Sequence, residues 1–294
     1  MRIEFVHVGS ADDPRLIDYL GLRDAHLREQ HLAESPSGLF MAEGETVIRH
    51  LLAHARPFRS MLVAANRVPA LESLLRETRH DPPDSLPVYV VEPCVLERVT
   101  GFNLHRGLLA SAYRPPRRTW RDLTGSDRPL VILEDLANHD NLGGIFRSVS
   151  AFNAAGVLLS PRCADPLYRK SVRVSVGAAA TVPFARIEPW PRALGELREL
   201  GWNVLALATD GAIALSEWRT TMTSYNYLKT SRTAIVLGSE GPGLSAEARA
   251  CSSETVQIPI SPQSDSLNVV VAASIALWEL AKPRPRAEQH SSPH

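Results

Sequence analysis

Between residues 130 and 280, apolar runs that read as strands alternate with stretches of helical periodicity, and this alternation constrains the fold more than any other feature of the 294-residue chain. Strands are expected at 130–134, 157–160, 204–208, 234–238 and 255–258, which argues for a parallel sheet covered by helices, an α/β architecture. Three polar stretches punctuate the pattern. They are Asn141-Leu142-Gly143-Gly144-Ile145-Phe146-Arg147, then Leu237-Gly238-Ser239-Glu240-Gly241-Pro242-Gly243-Leu244-Ser245, then Ile258-Pro259-Ile260 running on to Ser266-Leu267-Asn268-Val269. Each follows an expected strand and enters an expected helix. In a parallel sheet all three therefore emerge at the carboxyl edge, where open α/β proteins build their sites.

In the first stretch, Asn141 stands where a helix N-cap belongs, and Ile145, Val149 and Phe152 form the buried stripe of the helix that follows. Arg147 falls off that stripe, one turn after Gly143. Because helical side chains lean toward the N-terminus, its guanidinium is expected to lie back over that glycine toward the loop edge. Read alone, it is a solvent-facing helix arginine. The second stretch is neither a Gly-Lys-Ser/Thr phosphate loop nor a Gly-x-Gly-x-x-Gly fingerprint; its glycines permit a tight turn and close approach to a ligand, and Glu240 places a carboxylate among them. In the third, Val269-Val270-Val271 favours a strand by propensity. Ser266 or Asp265 can nevertheless cap a helix, and apolar residues at 269, 272, 273, 275, 276 and 280 keep a helical stripe. A helix from 267 to 280 is the reading adopted, with Val269, Val270, Val271, Ile275, Leu277 and Trp278 giving it more apolar surface than one sheet face covers.

Taken together, the three stretches resemble the motifs of the SpoU/TrmH-type RNA 2′-O-ribose methyltransferases of the SPOUT class. That resemblance covers residues 125–282 and implies a parallel-sheet methyltransferase domain at 119–282, with its second and third motifs tucked into a deep C-terminal trefoil knot that holds S-adenosylmethionine. It implies functional positions at Asn141, Arg147, Glu240, Ser266 and Asn268, and cofactor contacts at Thr209, Leu237, Gly238, Gly241, Ile258, Ile260 and Leu267. It also implies a homodimer with the site near the interface. The run 165–170 with Ser175-Val176-Gly177-Ala178 resembles the family's intermediate segment. Two departures stand out: Gly144 where a larger residue is common, and Val270 where serine is frequent.

Ahead of this region, residues 15–113 read as a small α/β unit. Helices are expected at 16–30, 45–54 and 71–78, strands at 38–44, 60–64 and 87–91, and a turn at Asp81-Pro82-Pro83-Asp84. The segment 101–110 resembles the end of an L30e-like substrate-binding domain, so residues 1–118 are expected to form an RNA-binding domain and linker. The linker Arg114-Pro115-Pro116-Arg117-Arg118-Thr119-Trp120-Arg121 is stiffened by its proline pair and carries four arginines, either as a solvated spacer or as a strap tracking phosphates. The tail at 283–294 lacks apolar residues to bury and is expected to be disordered.

Composition sets the remaining limits. With 44% apolar and 22% charged residues and no apolar run long enough to span a membrane, a cytoplasmic globular protein is expected. Formal net charge is zero, but its cations are nearly all arginine, with lysine only at Lys170, Lys229 and Lys282. Arginine is the better fork for phosphate oxygens. Cys94, Cys163 and Cys251 lack metal-ligand spacing and are expected to be reduced, mostly buried thiols with no metal among them. The function expected is S-adenosylmethionine-dependent methylation of a ribose 2′-hydroxyl, on rRNA ahead of tRNA. A non-catalytic RNA-binding protein and a base-nitrogen RNA methyltransferase are the rivals.

Overall fold

The computed structural model describes residues 3–22, 38–77, 86–101, 107–224 and 232–281. The expected turn at 81–84, the tail at 283–294, most of the expected helix at 16–30 and the middle of the 101–110 segment lie outside the described residues.

The first sheet is mixed. Its strands are β1 (Ile3–His7), β2 (Leu39–Glu43), β3 (Phe58–Ala64), β4 (Leu86–Val91) and β5 (Leu108–Tyr113), in the order β1-β4-β3-β5-β2. β1, β4 and β3 run parallel, and β5 pairs antiparallel with both β3 and β2. Helices α1 (Glu45–Ala53), α2 (Val68–Glu77) and α3 (Pro93–Thr100) bury one apolar stripe each. β1 and α3 were not anticipated: Glu4 and His7 break the apolar run of the first, and the second is short, opening on Pro93 at its first turn.

The second sheet is wholly parallel. It comprises β6 (Leu130–Leu133), β7 (Gly156–Leu159), β8 (Phe184–Arg186), β9 (Trp202–Leu207), β10 (Ile213–Ala214), β11 (Arg232–Leu237) and β12 (Glu254–Gln257), ordered β10-β12-β9-β11-β6-β7-β8. All five strands expected here form within a residue or two of their expected bounds. The two that sequence did not reveal, β8 and β10, are three and two residues long and sit at the sheet's margins. Between strands lie α4 (His139–Ala151), α5 (Arg169–Val174), α6 (Ala178–Thr181), α7 (Ala193–Glu199), α8 (Leu215–Ser224) and α9 (Ala246–Cys251), and α10 (Val269–Ala281) follows β12.

α10 returns across the sheet to pack on α4. The two departures noted above meet in this contact, since a Cβ on Gly144 would lie 2.8 and 2.9 Å from the Val270 methyls. Val270 thus fills the space that a side chain at 144 would take. Next to this contact the Ser148 and Ser274 hydroxyls lie 2.8 Å apart, each also within hydrogen-bond distance of the carbonyl four residues earlier.

Residues of both sheets join in one apolar cluster, in which Phe40, Ile48 and Val63 are continuous with Val131, Phe146 and Ala179. Charged groups fasten the seam. Glu43 at the end of β2 is buried and accepts from Arg169 at 2.7 Å and from Arg173 at 3.4 Å, while Arg114 in the linker donates to both oxygens of Asp165 at 2.7 Å. Of the three thiols, Cys163 is buried, and burial pushes its pKa up; Cys94 is exposed, contrary to expectation, because it lies in the first turn of α3 on the face away from the sheet.

Candidate active site

β11 runs parallel to β6 and β9, and β12 runs parallel to β9, so the loops leaving β6, β9, β11 and β12 share the carboxyl edge of the second sheet. The glycine loop after β11 is folded by necessity. A Cβ on Gly238 would lie 2.2 Å from the carbonyl carbon and oxygen of Gly243, so no side chain fits there. Gly241 and Gly243 take φ of +88° and +69°, which glycine adopts without strain. The Gly243 amide closes the turn onto the Ser239 carbonyl at 3.1 Å.

Glu134, which sequence reading did not single out, anchors this loop. Its carboxylate is buried at the end of β6 and accepts from the Ser245 amide at 2.8 Å, the Ser245 hydroxyl at 2.7 Å and the Trp190 indole at 2.9 Å. Ser245 in turn caps α9. A buried carboxylate needs such donors. The available signal was an acidic residue ending an apolar strand, but its three partners lie 56 and 111 residues away.

Three polar residues converge from the three motif stretches. Glu240 Oε1 accepts from Asn141 Nδ2 at 2.7 Å and from Asn268 Nδ2 at 3.1 Å, and Asn268 Nδ2 also lies 3.2 Å from Asn141 Oδ1. One carboxylate thereby fixes the rotamers of two amides. The helix caps differ from those expected. Asn138, not Asn141, caps α4, accepting from the Asp140 and Asn141 amides; the helix starts one turn early, which frees the Asn141 side chain for Glu240. At the third motif the cap is Asn268, whose Oδ1 accepts from the Val270 amide at 2.9 Å, rather than Ser266 or Asp265. Asn268 therefore caps α10 with its oxygen and faces the cluster with its nitrogen.

Beside the cluster opens a cleft of ≈780 Å³. Thr209, Leu237, Gly238, Gly241, Ile258, Ile260 and Leu267 all line it, together with Glu240, Ser266 and Asn268. The Ser266 side chain makes no hydrogen bond among the described residues, and its carbonyl accepts from Ser264. At the rim, Arg249 holds Asp210 through two bonds of 2.9 and 3.1 Å and keeps that carboxyl below its usual pKa.

Arg147 stands apart from this group. It is exposed on α4, does not line the cleft, and has no hydrogen bond or ion pair among the described residues. The space over Gly143 into which it was expected to lean is filled by α5, since a Cβ there would meet the Ser171 carbonyl at 2.7 Å and Val174 at 2.9 Å. Among the described residues no group of His, Cys, Asp or Glu is arranged to hold a metal ion, and no helix is long and apolar enough to cross a membrane.

Comparison with known proteins bears on this arrangement. Residues 128–278 match the model of the SpoU rRNA Methylase family. Proteins of Mycobacterium tuberculosis and Mycobacterium bovis named as uncharacterized tRNA/rRNA methyltransferases are 36% identical over 285 residues, covering 96% of this chain and 92% of theirs. Among solved structures, the SpoU methyltransferase AviRb of Streptomyces viridochromogenes in complex with AdoMet aligns with a TM-score of 0.71 at 22% identity, over 92% of this chain and 98% of that one. An AdoMet-bound rRNA methyltransferase of Sinorhizobium meliloti aligns at 0.70, also with 22% identity, over 94% and 97%. A structure described as an RNA 2′-O ribose methyltransferase aligns at 0.69 and 22% identity, over 94% and 98%. The family match spans half of the chain and the mycobacterial relatives nearly all of it: the chain belongs to the SpoU rRNA methylase family.

Proposed function

We propose that this protein is a cytoplasmic, S-adenosylmethionine-dependent methyltransferase acting on a ribose 2′-hydroxyl of RNA, with rRNA favoured over tRNA, and that residues 1–118 form an L30e-like unit that binds the substrate. The observation that carries the reading is the Asn141–Glu240–Asn268 cluster beside a cleft whose wall a single Cβ at Gly238 would disrupt. The cleft fits the cofactor. Its volume suits a ligand of that size, its walls at Leu237, Ile258, Ile260 and Leu267 are apolar, and its glycine loop lets backbone groups approach a ligand closely. Thr209, Gly238 and Gly241 would complete the contacts. Bound S-adenosylmethionine supplies a methyl group activated by its sulfonium.

The chain's own residues then have to align the hydroxyl and stabilise the charge that develops on its oxygen. Glu240 holds the two amides in fixed orientation, so Asn141 and Asn268 are preorganised rather than recruited. Ser266 contributes an unengaged hydroxyl at the cleft wall. Arg147 is the exposed cation on the same helix as Asn141; a guanidinium is a poor base, so it serves to clamp an RNA phosphate and stabilise the alkoxide.

A deep trefoil knot at the second and third motifs forms part of the same reading. It is supported by the strand order, which interposes β9 between β11 and β12, and by the return of α10 onto α4. A homodimer through α10 and α4 is supported by Val271, Ile275 and Trp278, which sit at i, i+4 and i+7 on α10 and are 46%, 37% and 54% exposed. Val269 and Leu277, also counted in that surface, are instead buried within the subunit. Light scattering at micromolar concentration is expected to give the mass of two chains, and an active monomer would refute the pairing.

The decisive experiment is mapping the methylated nucleotide. A ribose product resists alkaline cleavage at one phosphodiester, whereas methylation of a base nitrogen leaves every linkage cleavable. Arg147→Ala is expected to lower methyl transfer by roughly a hundred- to a thousandfold, with S-adenosylmethionine affinity within a few-fold of the parent. Lost cofactor binding with chemistry intact would remove Arg147 from its assigned role.

A further inference from the structure

A second cleft, of ≈460 Å³, opens where the linker crosses the margin of the second sheet. β8 is the last strand of that sheet, paired only with β7, and it forms one wall; Arg114–Arg118 of the linker form the other. Five arginines line it (Arg56, Arg114, Arg117, Arg118 and Arg186) against one carboxylate, Asp165.

Two of these cations build the frame. Arg114 is spent on Asp165, and Arg186 donates to the Ser160 and Ala164 carbonyls at 2.8 and 3.3 Å. The other three are uncommitted: Arg56, Arg117 and Arg118 make no hydrogen bond or ion pair among the described residues. Arg56 is half-buried in the wall, and its burial and the nearby Arg118 both push its pKa down. A desolvated cation beside a second cation, with the cleft's one carboxylate already taken by Arg114, is an arrangement that a bound anion relieves. Pro115 and Pro116 stiffen the strand before Arg117 and Arg118, so little chain entropy is lost when those two side chains are engaged.

The floor separates a nucleic-acid backbone from a free anion. Val182, Pro183 and Phe184 give the cleft an apolar surface suited to sugar or base, for which a lone phosphate has no use. Phe184 also meets Phe146 edge-on at 5.8 Å, and Phe146 precedes Arg147 on α4. The cleft is therefore one ring pair from the helix assigned to the reaction.

We propose that this arginine cleft is a second RNA-binding site, holding backbone phosphates of the substrate with Arg56, Arg117 and Arg118, outside the methyl-transfer centre. The assignment rests on the reading of RNA as the substrate. Its test uses the full-length protein and a labelled oligouridylate, whose affinity is measured across a series of KCl concentrations. The triple variant R56Q/R117Q/R118Q is expected to lower the slope of log Kd against log salt by about 2, and the double variant R117Q/R118Q by about 1.4, at roughly 0.7 per single-strand phosphate contact. S-adenosylmethionine affinity should be unchanged in both. The exposed pair alone decides the matter if loss of half-buried Arg56 harms folding. Equal slopes for parent and variants, with the parent binding RNA, overturn this site and leave the RNA reading standing. A parent that binds no RNA overturns both. Variants that lose inorganic triphosphate binding while keeping the parent's RNA slope would reassign the cleft to a free phosphate anion and sink the proposal.

Discussion

Around the glycine loop, the Glu240 and Glu134 carboxylates accept from neutral donors, the Asn141 and Asn268 amides and the Ser245 and Trp190 groups, at one edge of one sheet. The junction between the two sheets is instead fastened by ion pairs such as Glu43 with Arg169 and Arg173, 126 and 130 residues apart in the chain. The first arrangement is stiff by sterics: at Gly238 there is no room for even one added carbon. The second is held by electrostatics in a partly dehydrated place, so its strength depends on charge state and on keeping both partners. Damage to the two regions should therefore appear in different measurements.

Gly238→Ala presses that difference hardest. The new methyl would overlap the Gly243 carbonyl, and the loop must open to admit it. Cofactor affinity is expected to fall about 10- to 100-fold, the usual cost of overpacking a close contact, while the denaturation midpoint moves little because the loop is exposed. Isothermal titration and urea unfolding on the same preparation check both halves. An unfolded variant would mean that the loop carries the fold as well as the cleft.

Glu43→Gln is the converse. It leaves Arg169 facing a neutral amide across the seam, at an expected cost of about 2 kcal/mol, the scale of a hydrogen bond to a charged group. Denaturant unfolding should show this loss with cofactor affinity preserved. If stability stays put and cofactor binding drops, the seam is part of the site and the contrast fails.

The same contrast explains how much was legible in the sequence. Gly238, Asn141, Glu240 and Asn268 stand in short stretches whose backbone demands are local, and the structure does bring the last three together. The second sheet was equally plain, because buried parallel strands are continuous apolar runs. What escaped was whatever distant partners decide. Glu134 looks like an ordinary residue at a strand end until Ser245 and Trp190 are in place. Asn141 was read as the cap because Asn138, three residues earlier, is an equally good capping residue and sequence alone does not rank them. Gly144 and Val270 were two unrelated oddities until α10 was seen to fold onto α4, where each accounts for the other.

The smallest expected effect lies in the pH dependence of the seam. His50 on α1 places Nε2 3.0 Å from the Thr181 hydroxyl, packs against Gly177, whose Cβ position would be 2.9 Å from the imidazole, and lies 4.3 Å from the His54 ring. Burial, and then the neighbouring His54, lower its pKa below the ordinary 6.5. Below 6.5 the unfolded chain thus takes up a proton more readily than the folded one. The stabilising contribution of neutral His50 is complete above 6.5 and is lost as pH falls through the depressed value. Unfolding midpoints measured from pH 8 down to pH 5 should fall more steeply for the parent than for His50→Gln, which cannot titrate. Were the two slopes to coincide, the seam would owe its pH response to other groups, and its dependence on charge would rest on the Glu43 and Asp165 pairs alone.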